Sequence, residues 1–211
     1  MPEQNHVKLP GTIPLAGALI FLGSIVSFTG ITASEALYPE YHITQVISDL
    51  GVGPAAAVFN VTGCIVAFML LAAAYLLWTA GIDRLFCSLM ILIAAGQGGV
   101  CIFPENSGIP HLVAAATLFI CGFLITVASF RVFTVPWTYI SGMIGIIMIT
   151  AIIFLESKIY LGLGIGGMER MIAYPLLLWG LVCGMFFMSL YKEGPMICSL
   201  DPSVTAFSSE K

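Results

Sequence analysis

Apolar residues gather in six long runs, and the polar residues between them form two unequal sets. The runs are Ile13 to Ser34, Ala55 to Trp78, Leu85 to Phe103, Pro110 to Phe130, Val135 to Leu155 and Met171 to Tyr191. A hydrocarbon core of roughly 30 Å takes about 20 helical residues at a rise of about 1.5 Å each. Each run supplies that length. The runs are apolar on all faces, whereas the strands of a membrane barrel alternate over about 10 residues. The pattern therefore predicts an all-α, polytopic membrane bundle of six transmembrane helices, at 13–34, 55–78, 85–103, 110–130, 135–155 and 171–191. It leaves an N-terminal tail at 1–12, a flexible C-terminal tail at 192–211 and no soluble domain.

Composition agrees with this reading. Of 211 residues 59% are hydrophobic and 9% charged, with a mean hydropathy of +1.05, against about 25% charged residues in soluble domains. The first run exceeds the roughly 7 to 15 apolar residues of a signal peptide and ends at Glu35 without a clear cleavage site, so it is expected to be retained. A net charge of −4 and scattered lysines give no polybasic tract, and nucleic-acid binding is not expected.

Six spans put both termini on one side, together with the second and fourth loops and Lys8, Arg84, Arg131, Lys192 and Lys211. The other side has Lys158 and Arg170. Short loops rich in Lys and Arg stay cytoplasmic, so the expectation is a multi-pass protein of the cell membrane with cytoplasmic termini. The outward loops then carry Glu35, Glu40, His42, Asp49, Glu105, His111, Glu156, Glu169 and Arg170, with Tyr38, Tyr41 and Tyr160. The plainest explanation is that acids collect where water is and tyrosines form an interfacial belt. The cysteines, Cys64, Cys87, Cys101, Cys121, Cys183 and Cys198, lack close metal-ligand spacing and read as small buried hydrophobes without a disulfide framework.

Candidate chemistry sits at the outward helix ends. Asn60 and Gln97 are amides in the outer half of the membrane, where an unpaired amide costs several kcal/mol on apolar scales. They serve either as helix-to-helix hydrogen bonds or as groups orienting a ligand. Gly96, Gly98 and Gly99 beside Gln97 permit close approach. Glu169 and Arg170 precede the last run as candidate ligand contacts. Arg170 must be neutralised, either by a carboxylate such as Glu105, Asp49 or Glu156 or by an anion such as a lipid phosphate, held in bidentate fashion. Glu105 and His111 flank one short loop, the minimum for proton transfer or metal binding. Asp49, Glu105 and His111 are thus the candidate catalytic groups. The glycines at 162, 164, 166 and 167 lack the strand, lysine and helix order of a phosphate loop, so a nucleotide site is not expected, and the sequence leaves any cofactor unknown.

Four segments at these helix ends, HITQVISDLG (42–51), FNVTG (59–63), FPENSGIPH (103–111) and GGMERMIAYPLLLW (166–179), resemble a prokaryotic membrane family known as domain of unknown function nine-nine-eight. The resemblance runs from Pro14 to Tyr191. It implies the six-span architecture and functional positions at these ends, and it brings no established reaction. The SDLG loop is also similar to one in the Frag1/DRAM/Sfk1 group, some members of which are linked to lipid-anchor remodelling.

Three functions compete. The first is a binding protein whose outward polar site takes a lipid headgroup or small solute, with Arg170 as anion contact and membrane lipids as partners. The second is a membrane-embedded lipid hydrolase or transferase, although neither an H-E-x-x-H signature nor a nucleophile elbow is present. The third is a structural subunit that meets another membrane protein, or a second copy, through small residues such as Gly142 and Gly145. Convergence of Asp49, Glu105, His111 and Arg170 on one cavity would favour the first two.

Overall fold

Residues 11–190 are described by the computed structural model. Lys8, Lys192, Lys211, Tyr191, Cys198, the 192–211 tail and most of the 1–12 tail lie outside the described residues. Six helices are each long and apolar enough to cross a membrane: α1 (Thr12–Ala36), α2 (Ala56–Thr79), α3 (Arg84–Ile102), α4 (Ile109–Ala128), α5 (Trp137–Glu156) and α6 (Gly164–Ser189). No strand occurs among the described residues. The protein is an all-α, multi-pass membrane bundle.

Each helix packs against the next and α6 closes on α1, so the bundle is a ring with its thinnest seam between α4 and α5. Small residues set the tightest crossings. Gly17 of α1 and Gly184 of α6 lie so close that a Cβ on either would meet the other's carbonyl oxygen. Gly142 and Gly145 of α5 receive Phe130 and Thr126 of the α4 segment. Such contacts replace the hydrophobic drive that lipid removes.

One boundary differs from the sequence reading by more than two residues. α6 starts at Gly164, so the glycine run forms its first turn and Glu169 and Arg170 lie within the helix. Hydropathy ends a span at charged residues, but here both charges are engaged by the loop between α1 and α2. Gly166 makes room for that loop, because the Gln45 backbone carbonyl occupies the place of a Cβ.

The end of the bundle bearing the second and fourth loops is filled. Phe86, Phe133, Trp179, Phe186 and Phe187 form an aromatic cluster with neighbouring ring centroids 4.5 to 6.4 Å apart. The Trp179 indole donates to Ser141 Oγ at 2.9 Å and to Ser129 Oγ at 3.3 Å. Those hydroxyls in turn donate to the Thr126 and Ile125 carbonyls. At the rim, Asp83 caps α3 by accepting from the Phe86 amide and takes two bonds from Arg131, at 2.8 and 2.9 Å. The guanidinium holds the Asp83 carboxyl below its usual range.

Candidate functional site at the acidic end

The opposite end, with the first, third and fifth loops, is organised by the chain between α1 and α2. Its 3₁₀ turn, Ile47–Gly51, drives Ile47 and Leu50 into the bundle, where they are 5% and 0% exposed. The turn acts as a plug. Asn60 Nδ2 donates to the Gly51 carbonyl at 2.9 Å, and the Gly166 amide donates to the Thr44 carbonyl at 3.0 Å. Glu169 Oε2 accepts the Ile47 amide at 2.6 Å.

Arg170 is the centre of this attachment and is only 5% exposed. Nη1 donates to the carbonyls of Ile43, Gln45 and Gly166 at 2.9 to 3.0 Å. Nη2 donates to Glu35 Oε1 and to the Tyr41 hydroxyl, both at 2.6 Å. Its carboxylate partner is Glu35, at the end of α1, and not Glu105, Asp49 or Glu156. Burial pushes the Tyr41 phenol up to about 12 against the pull of Arg170, so Tyr41 stays protonated and passes its own bond to the carbonyls of Gln45 and Val46. A planar five-donor group suits such a site where a lysine would not.

Beneath the plug lies a cavity of about 90 Å³, bounded by α1, α2, α3, α4, α6 and the 3₁₀ turn. Its walls are mostly apolar, with Ile31, Phe59, Leu118, Phe119, Leu176 and Leu177 among them. Six polar side chains reach it: Ser27, Ser48, Thr62, Gln97, His111 and Glu169. His111 Nδ1 lies 2.8 Å from the Phe103 carbonyl. A carbonyl only accepts, so Nδ1 carries the proton and Nε2 of the neutral ring is an acceptor. The second Glu169 oxygen and the hydroxyls of Ser27 and Thr62 have no hydrogen-bond partner among the described residues. Gln97 has only a 3.9 Å contact from Nε2 to Cys101 Sγ.

Next to the cavity, the third loop brings Glu105 against Asp49 and Ser48 of the plug. Burial first, then the facing Asp49 carboxyl, raises the Glu105 carboxyl to about 7. The two acids thus face each other across two loops, and the Glu105 carboxyl takes up a proton near neutral pH.

The candidates from sequence thus part company. Gln97, His111 and Glu169 share the cavity wall, Asp49 and Glu105 meet beside it, and Asn60 secures the plug. Arg170 faces away from the cavity into its own cluster of acceptors. Among the described residues no group of three or more His, Cys, Asp or Glu could hold a metal ion, so Glu105 and His111 have no third ligand there. Cys64 is exposed on the outside of α2 and, unlike the buried hydrophobe read from sequence, neighbours Cys101; both are free. Sequence reasoning missed Glu35 and Tyr41, and also Ser27 and Thr62. Glu35 had a signal in being the acid at the last turn of the first span on the same face as Arg170. The two hydroxyls had none, since Ser and Thr are ordinary in membrane helices.

No curated protein and no solved structure matches the chain. A family model covers residues 21–185, from within α1 to within α6, and includes every residue of the cavity wall. The chain belongs to the family described as protein of unknown function (DUF998).

Proposed function

We propose that the protein is a membrane-embedded binding protein whose cavity at the acidic end takes the polar end of a membrane amphiphile, or a small solute. The observation that carries this reading is the set of unpartnered polar groups in an apolar enclosure. Ser27 is buried and the other groups are half-buried, and a hydroxyl, amide or carboxylate held against apolar walls without a partner is costly on apolar scales, so that native interiors pair nearly all of them. A ligand or water supplies what the chain withholds. The cavity has room for roughly six waters and is well below the 300 Å³ or so of a drug-sized pocket. It therefore suits one end of a molecule whose remainder lies among the helices or in lipid.

The enzyme reading has the Asp49–Glu105 pair and His111 as acid–base groups. Among the described residues no hydroxyl is hydrogen-bonded to His111, so the nucleophile-and-base pairing of covalent catalysis is not assembled. The subunit reading loses its support, because Gly142 and Gly145 face α4 of the same chain. We further propose that the acidic end faces outward. Arg170 lies within α6 and not in a loop, which leaves Lys158 against Arg84 and Arg131 among the described cations at the loops. Labelling of a Glu40→Cys variant by a membrane-impermeant maleimide on intact cells is expected, and protection there would reverse the orientation.

The binding test fills the cavity. Ala173 lines it, and Ala173→Phe should occupy it while leaving the plug contacts in place. Wild type and variant, purified in mild detergent, are compared for retained small molecules by mass spectrometry. An amphiphile enriched in wild type and lost from the variant is expected. Equal recovery from both would sink the proposal.

A further inference from the structure

Resting on that binding reading, we infer that the bound group is an ammonium directed at Glu169, and that phosphate and carboxylate headgroups are excluded. The unpartnered groups are biased toward acceptors. The free oxygen of an ionised Glu169 and Nε2 of a neutral His111 can only accept, and the Ser27 and Thr62 hydroxyls and Gln97 amide can do so. Ser27 is 8% exposed and reaches the cavity without a partner, so the enclosure requires a polar occupant at more than one wall. An ammonium brings three N–H donors to such a set.

Charge points the same way. Among the described residues no lysine or arginine lines the cavity. Arg170 and Asp49 both lie within electrostatic reach of Glu169, but Glu35 balances Arg170 at 2.6 Å. The Asp49–Glu105 pair retains negative charge even when it shares one proton. An anion entering this field would meet uncompensated carboxylates in a low-dielectric enclosure, where like charges repel far more than in water. A cation would complete the charge of Glu169, whose one hydrogen bond from the described chain is the Ile47 amide.

Of the two roles open to Arg170 from sequence, carboxylate pairing and anion contact, the bond to Glu35 follows the first. The arginine is a structural clasp that leaves its neighbour Glu169 as the cavity's charge. An amine-bearing lipid and a soluble alkylamine present the same group, and chain length separates them.

The test measures binding of dodecylamine, dodecanol and dodecyl phosphate to the purified protein by native mass spectrometry, with butylamine as the short-chain arm. The expected ranking places dodecylamine above dodecyl phosphate by about tenfold or more, the scale of one hydrogen bond to a charged group. Glu169→Gln keeps an oxygen for the Ile47 amide and should lower dodecylamine to the level of dodecanol. Phosphate bound as well as amine, or an amine preference that survives Glu169→Gln, overturns the ammonium assignment and leaves the cavity reading standing. Failure of every probe to bind, or binding undiminished by Ala173→Phe, overturns both. The wild-type ranking requires no variant, so misfolding of Glu169→Gln would still leave a decision. Butylamine bound as tightly as dodecylamine assigns the site to a soluble amine, and loss of binding with the shorter chain assigns it to a lipid; either supports the ammonium.

Discussion

The aromatic and acidic ends of the bundle use the same helices and many of the same small polar residues, yet they treat hydrogen bonds in opposite ways. At the aromatic end Ser129, Ser141 and Trp179 form a closed chain of donors and acceptors inside packed rings. At the acidic end Ser27, Thr62 and one Glu169 oxygen face a cavity without partners. The two fully buried polar atoms lacking a partner among the described residues, Asn60 Oδ1 and Arg170 Nε, also lie there. A bundle built only to be stable would close both ends, since membrane helices gain from packing and interhelical bonds alone. The asymmetry supports the proposal that the acidic end takes an occupant.

The strongest way to break this comparison is to release the plug. Arg170→Ala removes five hydrogen bonds and strands Glu35, and loss of one partner of a buried pair costs about 3 kcal/mol or more. Arg170→Lys should rescue little, because one ammonium cannot serve acceptors spread over α1, α6 and the loop. Thermal unfolding in detergent measures both. A melting temperature near wild type for Arg170→Ala would show that the plug is held by its apolar residues instead.

Matched serine deletions sharpen the contrast. Ser141→Ala takes the nearer acceptor from the Trp179 indole and should cost about 1 kcal/mol, the usual scale of hydrogen bonds between membrane helices. Ser27→Ala removes a group with no partner and should be close to neutral in the ligand-free protein. Equal losses would erase the distinction between a closed and an open polar set.

A smaller effect separates the ends by pH. The folded-state Glu105 carboxyl, at about 7, lies above the ordinary 4.5, so its protonation stabilises the fold fully below pH 4.5 and is lost as pH rises through about 7. The melting temperature should fall between about pH 5 and about pH 8 in wild type, and Glu105→Gln should flatten that slope. An unchanged slope would remove the Asp49–Glu105 pair as its source. The smallest effect is expected at the aromatic rim, where the Asp83 carboxyl is depressed by an Arg131 that is 62% exposed. Its contribution is present above pH 3.8 and lost as pH falls through the lowered value, and high salt should screen it. A large salt-resistant loss in Arg131→Ala would contradict the exposed geometry.

Much of the fold was legible along the chain because a transmembrane span is a local property. Twenty or so apolar residues either cross the core or they do not, and the polar loops between them show which ends face the same way. The start of α6 escaped this logic. A hydropathy reading stops at Glu169 and Arg170, although helix continues wherever those charges find partners, and here the partners come from more than 120 residues away. Gln97, Glu169 and His111, which share the cavity wall, were legible as candidates for the reason that polar groups in an apolar span need an explanation. Arg170 needed one equally, and the explanation proved structural.

The sequence by itself determined the six spans, the two unlike ends, and the short stock of polar residues from which any site must be drawn. The tertiary structure decided which acid meets Arg170, which serines close on a tryptophan and which open on a cavity. The physical reason is that burial in lipid depends on composition along one helix. Hydrogen-bond satisfaction depends instead on which backbone and side-chain atoms a folded loop brings within about 3 Å.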